Sequence, residues 1–401
     1  MNSQTLRVPY GQAVHDNNEK EAVIRVLDQH RTIIGKETEE FEKRVAKLFS
    51  KKFSIMVNSG SSANLIAVKL LNLPAGSEVI TPLLTFSTTV APILQNDLIP
   101  VFVDVEEGKY IINVNKIEKL ISKKTKALMI PLLIGNVPDM SKLRKLADKY
   151  NLYLIDDSCD TLGATFEGKP TGYYTDISTT SFYGSHIITA GGGGGMILVN
   201  NKKWFFRAKV LRGWGRNSSI FSESESIEKR FKLKIENIPY DAKFIFNEIA
   251  YNFMPMEIGS AFGNVQLDKL PRFKKIRENN FKKLYDFFKQ YERLFILPNQ
   301  SEKVRTQWLA FPLTIKENAP FKRLELVKYL ELNNIQTRPI FTGNILLQPG
   351  FRKIPHKTRG SYDVTNNIMR SSFLIGCHHG LSKIHIEKIK TTFKKFLEKY
   401  S

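Results

Sequence analysis

The chain has 401 residues, 42% of them hydrophobic and 25% charged, enough to bury a substantial core and to divide into two domains. It has no apolar run of about 18 residues, and Met1 to Arg7 lack the apolar stretch of a secretory leader, so the expected address is the cytoplasm, without membrane insertion. Two cysteines, Cys159 and Cys377, exclude a disulfide framework and a paired-cysteine zinc site. Lys and Arg number 60 against 39 Asp and Glu, a formal +21. The basic residues are spread along amphipathic stretches such as Phe273 to Leu284, with no dense basic tail and no zinc-finger or RNP-type motif, which points to a solvated lysine-rich surface and not to a nucleic-acid partner.

In chain order, the first helical periodicity is Thr38–Phe49, with Phe41, Val45 and Leu48 on one face. A strand at Ser54–Val57 leads into a second helix at Ser61–Leu71, whose Ala63, Leu65, Ile66 and Val68 are apolar. Further strands are expected at Glu78–Thr81, Ala127–Pro131, Leu152–Asp156, Thr179–Tyr183 and Met196–Val199. Their alternation with helix-like segments is the pattern of an α/β protein on a mostly parallel sheet. From about Met256 an amphipathic segment runs towards Gln290 and carries the chain out of a large domain, 1–250, into a smaller α+β domain within 251–401. There Trp308–Leu313 and Gln336–Ile340 read as strands, and Phe321–Leu332 and Ile384–Tyr400 as helices.

Three segments could carry chemistry. Asn58-Ser-Gly-Ser-Ser-Ala-Asn64 opens a helix directly after an apolar run, which makes it either a plain cap or a seat for a phosphate at the positive helix end. Leu154 to Asp160 places Asp156, Asp157 and Asp160 at the carboxyl end of a strand, where α/β sheets hold ligands. An acid there holds a heteroaromatic nitrogen protonated, binds a metal, or caps the next turn. Ser181 to Gly195 contains His186 and then five consecutive glycines, so the backbone must turn tightly or approach something closely. A single His before such a loop, seen in isolation, is more often a structural hydrogen-bonding residue than a catalyst.

Taken in order, these segments resemble the DegT/StrS sugar aminotransferase family, which has the type I aspartate-aminotransferase fold and binds pyridoxal phosphate. The resemblance starts at Gly35 to Phe41 and passes through Ser59-Gly-Ser-Ser62, Thr81 to Phe86, Gly135-Asn136, the Asp157 segment and the glycine loop. It ends at Tyr251-Asn252 and at Thr337-Arg338 to Asn344. It implies that Gly60, Ser61 and Ser62 form the cofactor-phosphate turn, that Phe86 stacks on the pyridine, and that Asp157 pairs with the pyridine nitrogen and keeps it protonated. It also places Asp160 near the cofactor and Ser181 at the phosphate. Asn252 is implied as a phosphate contact reached from a neighbouring subunit, which means a homodimer with shared sites. Arg338 and Asn344 fall on the substrate side.

One departure changes the chemistry. Relatives carry, six residues into the Ser-Phe segment, the lysine that joins the cofactor covalently; here His186 stands in its place. An imidazole cannot make that bond but can serve as a general base. This substitution, the Ser181-Phe-Tyr lead and Leu211 to Arg216 resemble the branch that removes the C3 hydroxyl from nucleotide-linked 4-keto-6-deoxyhexoses. The resemblance therefore implies a 3-dehydratase of 3,6-dideoxysugar biosynthesis for a surface polysaccharide. Its pyridoxamine or pyridoxal phosphate is held non-covalently, and glutamate or a similar amino donor regenerates the amine form. Two cysteines cannot supply the four thiolates of an iron–sulfur cluster, so none is expected. Two further departures are Gly192 inside the glycine loop and Met254-Pro255 after Asn252. The alternatives are a nucleotide-sugar aminotransferase, disfavoured because no lysine lies between Lys169 and Lys202, and a non-catalytic regulator that binds cofactor or nucleotide sugar.

Overall fold

The computed structural model describes residues 6–221 and 226–400. Its first layer is a seven-stranded sheet of β1 (Phe53–Val57), β2 (Glu78–Pro82), β3 (Ile99–Val103), β4 (Thr125–Pro131), β5 (Tyr153–Asp157), β6 (Ile177–Ser181) and β7 (Gly195–Val199). The spatial order is β1-β7-β6-β5-β4-β2-β3. Only β7 runs against its neighbours; the other pairs are parallel.

Both faces are covered, and the pleat decides which side chain goes where. On β4, Leu128 and Ile130 pack with Met140, Leu143 and Ala147 of the helix Met140–Lys149, while Ala127 and Met129 join Ala63 and Ile66 of the helix Gly60–Leu70 on the opposite face. The same alternation separates the adjacent carboxyls. Asp157 looks into a cleft, whereas Asp156 is fully buried among Thr175, Ser158 and Ser178, where burial raises its pKa.

The helix Glu257–Lys289 leads from this sheet to a second one. At its start the buried Glu257 carboxylate accepts from the N–H groups of Gly35, Glu37 and Thr38 and from the Thr38 hydroxyl, at 2.6–3.2 Å. It thereby satisfies the free donors of the helix Lys36–Leu48 at that helix's positive end. At the other end Leu284 and Phe288 enter a core with Phe311, Phe373 and Phe393. That core belongs to the antiparallel strands β8 (Phe295–Ile296), β9 (Phe311–Ile315), β10 (Thr337–Arg338) and β11 (Ser372–Ile375), in the order β8-β9-β11-β10. The helices Arg323–Leu332 and Lys383–Leu397 contribute Leu326, Leu330, Ile386 and Ile389 to it.

The six strands expected in the first sheet all form, with ends within two residues of expectation. β3 was not expected. Its Pro100 removes a ladder donor and so argues against a central strand, and β3 indeed lies at the sheet edge, where that donor is not required. Trp308 and Leu309, expected in a strand, precede β9 instead: their carbonyls accept from Arg277, and the Leu309 N–H donates to Ile134. Among the described residues no helix is long and apolar enough to cross a membrane.

Candidate active site

A cleft of about 500 Å³ opens where the carboxyl ends of β4, β5 and β6 meet the edge of the second sheet. Pro131, Asp157 and Ser181 come from the first sheet, Arg338 and Leu374 from the second, and Leu309 from the segment before β9. Tyr10 enters from the N-terminal segment, which bridges at Val8 to Ile335 and is fixed by the Tyr10 N–H donating to Gln336 Oε1 at 2.9 Å.

One wall is the start of the helix Gly60–Leu70. Ser59 caps it by accepting from the Ser62 N–H at 3.1 Å. Gly60 and Ser61 line the cleft; Ser62 does not, its hydroxyl donating behind the turn to Asn58 Oδ1 at 2.7 Å. A Cβ at Gly60 would lie 2.7 Å from Ser181 Cβ and 2.9 Å from Cys159 Sγ, so only glycine lets the helix start pack this closely against them. The glycine loop has its close approach here too. A Cβ at Gly195 would sit 2.3 Å from the Ser59 carbonyl carbon, so this glycine lets β7 pass directly beneath the turn.

Asp157 is fixed at both oxygens. Oδ2 accepts from Asn64 Nδ2 and Thr89 Oγ1, each at 2.8 Å, and Oδ1 accepts from the Cys159 N–H at 3.3 Å. Asn64 is held in turn by Thr179 Oγ1, which donates to its Oδ1 at 2.6 Å. Neither Asn64 nor Thr89 was singled out from the sequence. Asn64 had a legible signal, one helical turn beyond Gly60 and therefore on the same face. Phe86 stands half exposed at the rim, edge-on to Phe341 with 6.1 Å between ring centres.

Opposite lie Asp160 and His186. Asp160 Oδ2 accepts from the Ile134 N–H at 2.9 Å, while Oδ1 lies 3.9 Å from His186 Nε2. Ile134 itself has φ 58°, a left-handed conformation that costs a β-branched residue about 1–3 kcal/mol. Burial raises the Asp160 carboxyl to about 7 and lowers the His186 imidazole to about 4. The His186 backbone is pinned on both sides, its N–H donating to Tyr183 O at 3.0 Å and its carbonyl accepting from Arg277 Nη2 at 3.2 Å.

The cleft thus gathers Gly60, Ser61, Phe86, Asp157, Asp160, Ser181, His186 and Arg338. It does not include Asn252 or Asn344. Asn252 is exposed, with its backbone bridged to Gly213 and its Oδ1 accepting from Met254 N–H at 3.4 Å. Asn344 lies behind the wall, capping a short turn through the Leu346 N–H and donating to Asn366 Oδ1 at 2.8 Å. Among the described residues no lysine lines the cleft, and no group of three or more His, Cys, Asp or Glu is placed to hold a metal ion.

A mostly parallel sheet with one reversed strand, a long connecting helix and a glycine-started helix facing a carboxyl across a cleft define a protein of the type I pyridoxal-phosphate transferase fold. The chain belongs to the DegT/DnrJ/EryC1/StrS aminotransferase family, which it matches over residues 14–394. It is 36% identical to the lipopolysaccharide biosynthesis protein RfbH of Salmonella typhimurium, over 90% of this chain and 85% of the relative. It is 32% identical to dTDP-4-dehydro-2,6-dideoxy-D-glucose 3-dehydratase of Saccharopolyspora spinosa, over 97% and 86%. In structure it is similar to GDP-4-keto-6-deoxymannose-3-dehydratase with a trapped PLP-glutamate geminal diamine, with a TM-score of 0.87, 26% identity, and 96% and 99% of the two chains covered.

Proposed function

We propose that this chain is a 3-dehydratase of a nucleotide-linked 4-keto-6-deoxyhexose, dependent on pyridoxamine and pyridoxal phosphate and serving 3,6-dideoxysugar synthesis for a surface polysaccharide in the cytoplasm. The observation that carries the reading is that, among the described residues, the cleft is lined by a largely shielded imidazole, His186, 17% exposed, and by no lysine. Without an amine on the protein the cofactor is held non-covalently. The residues suit it. The helix start at Gly60 and Ser61, beside Ser181, turns backbone donors to the cleft for a phosphate, with Ser62 supporting the turn from behind. Asp157 is oriented for a ring nitrogen, and Phe86 offers a ring face at the rim.

When bound, the cofactor supplies an amine that joins the sugar's C4 carbonyl and a ring that draws electron density from the adjoining carbon. The chain's own part is to anchor the phosphate at Gly60, to hold Asp157 against the ring nitrogen, and to present a free-base imidazole. Because burial lowers His186 to about 4, its ring is neutral at neutral pH and keeps one unprotonated nitrogen able to accept a proton. Glutamate as the amino donor is supported by the adduct trapped in the structural relative. A homodimer with shared sites suits the exposed position of Asn252 outside its own cleft, beside the exposed side chains of Trp214, Phe246 and Ile249. Arg338 lies 5.6 Å from the Tyr10 ring centre, within reach of the sugar side, and Asn344 supports that wall through Asn366.

The test is incubation of the protein and pyridoxamine phosphate with a panel of nucleotide-linked 4-keto-6-deoxyhexoses, followed by mass spectrometry. Loss of one water is the expected result. Failure with every sugar, together with no glutamate-driven conversion of pyridoxal to pyridoxamine phosphate, would leave a binding protein instead.

A further inference from the structure

Beside His186 the cleft holds the Asp160 carboxyl, which the reading above does not use. Asp160 Oδ2 is occupied by the Ile134 N–H, which leaves Oδ1 free and facing His186 Nε2 across 3.9 Å. Both side chains line the same cleft and are largely shielded from solvent, 17% and 9% exposed. We propose that they divide the proton chemistry of the dehydration, with His186 as acceptor and Asp160 as the donor whose proton lets the C3 hydroxyl leave as water. The inference rests on the dehydratase reading.

The balance closes. The C–H bond whose proton goes to Nε2 leaves its electron pair behind, and an equal pair departs with the oxygen when the C3–O bond breaks. The oxygen takes its proton from Asp160 Oδ1. The site is left as imidazolium and carboxylate, and transfer of one proton from Nε2 to Oδ1 restores it. At 3.9 Å that last step needs a small ring rotation or a bridging water.

Two charges so placed would form an ion pair, but burial opposes charge on each partner. It pushes the carboxyl up to about 7 and the imidazole down to about 4, the reverse of their order in water. The other titratable groups facing the pair do not undo this. Asp157 raises both partners, Arg277 lowers His186, and Tyr10 and Cys159 are held neutral, chiefly by burial. The strained Ile134 backbone has a purpose in this arrangement: its N–H fixes one carboxyl oxygen so that the other faces the imidazole.

Asp160→Asn tests the division, with infrared spectroscopy as a readout independent of turnover. At about pH 6 the wild-type protein should show a protonated-carboxyl band that is weaker in the variant. Dehydration should fall about 100-fold or more, while glutamate-driven conversion of pyridoxal to pyridoxamine phosphate, in which no hydroxyl departs, should fall less than about tenfold. Asp160→Glu, which keeps the carboxyl, should retain the band and recover most of the dehydration, and it serves if the amide variant does not fold. An unchanged band, dehydration within about tenfold of wild type, or an equal fall in both half-reactions would overturn the proposal. A wild-type protein that dehydrates no sugar would instead remove the dehydratase reading and this inference with it.

Discussion

Arg277, fully buried in the middle of the long helix, donates from Nη2 to the backbone carbonyl of His186 at 3.2 Å. Its other donors go to Trp308 O, Leu309 O and His379 Nδ1, and no carboxylate is among these partners. Burial lowers it to about 10, so it remains charged at neutral pH. Arg277→Met leaves these acceptors without a donor and should cost about 2–4 kcal/mol in urea denaturation. Because the guanidinium also depresses His186, the acid limb of the rate profile should move to higher pH in the folded variant. An unchanged limb would mean that Arg277 serves stability alone.

Replacement of His186 by Asn leaves a smaller polar amide in the ring's place and removes the base. Pyridoxamine phosphate should bind within a few-fold of wild type, since the Gly60 turn, Asp157 and Phe86 are untouched. Dehydration and glutamate-driven regeneration should both fall about 10²- to 10⁴-fold. A folded, cofactor-loaded variant that keeps more than about a tenth of the wild-type rate would show that His186 is not the base.

Gly60→Ala asks whether the helix start beside Ser181 is the phosphate seat. The new methyl group meets Ser181 Cβ and Cys159 Sγ inside ordinary contact distance, so the turn must shift. Pyridoxamine phosphate affinity should drop about tenfold or more, equivalent to about 1.4 kcal/mol. Equilibrium dialysis measures it, and unaltered affinity would move the phosphate elsewhere.

His378 gives a pH-dependent stability with a definite sign. Its Nδ1 accepts from the Gly380 N–H and its Nε2 donates to Pro9 O, a pattern that fits the neutral ring. Burial lowers it to about 3, below the unfolded value of about 6.5. A depressed group contributes stability that is present above its unfolded pKa and is lost as pH falls towards the folded one, because the unfolded chain binds the proton first. Between about pH 4 and 6 the stability of His378→Gln should therefore fall less steeply with acidification than that of wild type, by about 1.4 kcal/mol per pH unit. Denaturant titrations at several pH values provide the slopes, and equal slopes would refute the assignment.

Much of this protein was decided by local sequence. Apolar alternation and helical periodicity marked β1, β2, β4, β5, β6 and β7, and the small residues from Asn58 to Asn64 marked the helix start that now faces the cleft. The order of the motifs around Asp157 and the glycine loop singled out His186 as the residue in the lysine's place. These features are legible because backbone periods and turn chemistry act over a few residues. What the sequence could not state is who stands across from whom. Asp160 is anchored by Ile134 from 26 residues away, and His186 by Arg277 from 91 residues away. Tyr10 reaches the cleft only because its segment pairs beside Ile335. The charge states follow the same division. Aspartate and histidine have ordinary values as residue types, and only packing removes the water that would keep the carboxyl ionised and the imidazole easily protonated, so the acid and base roles at this site belong to the tertiary structure.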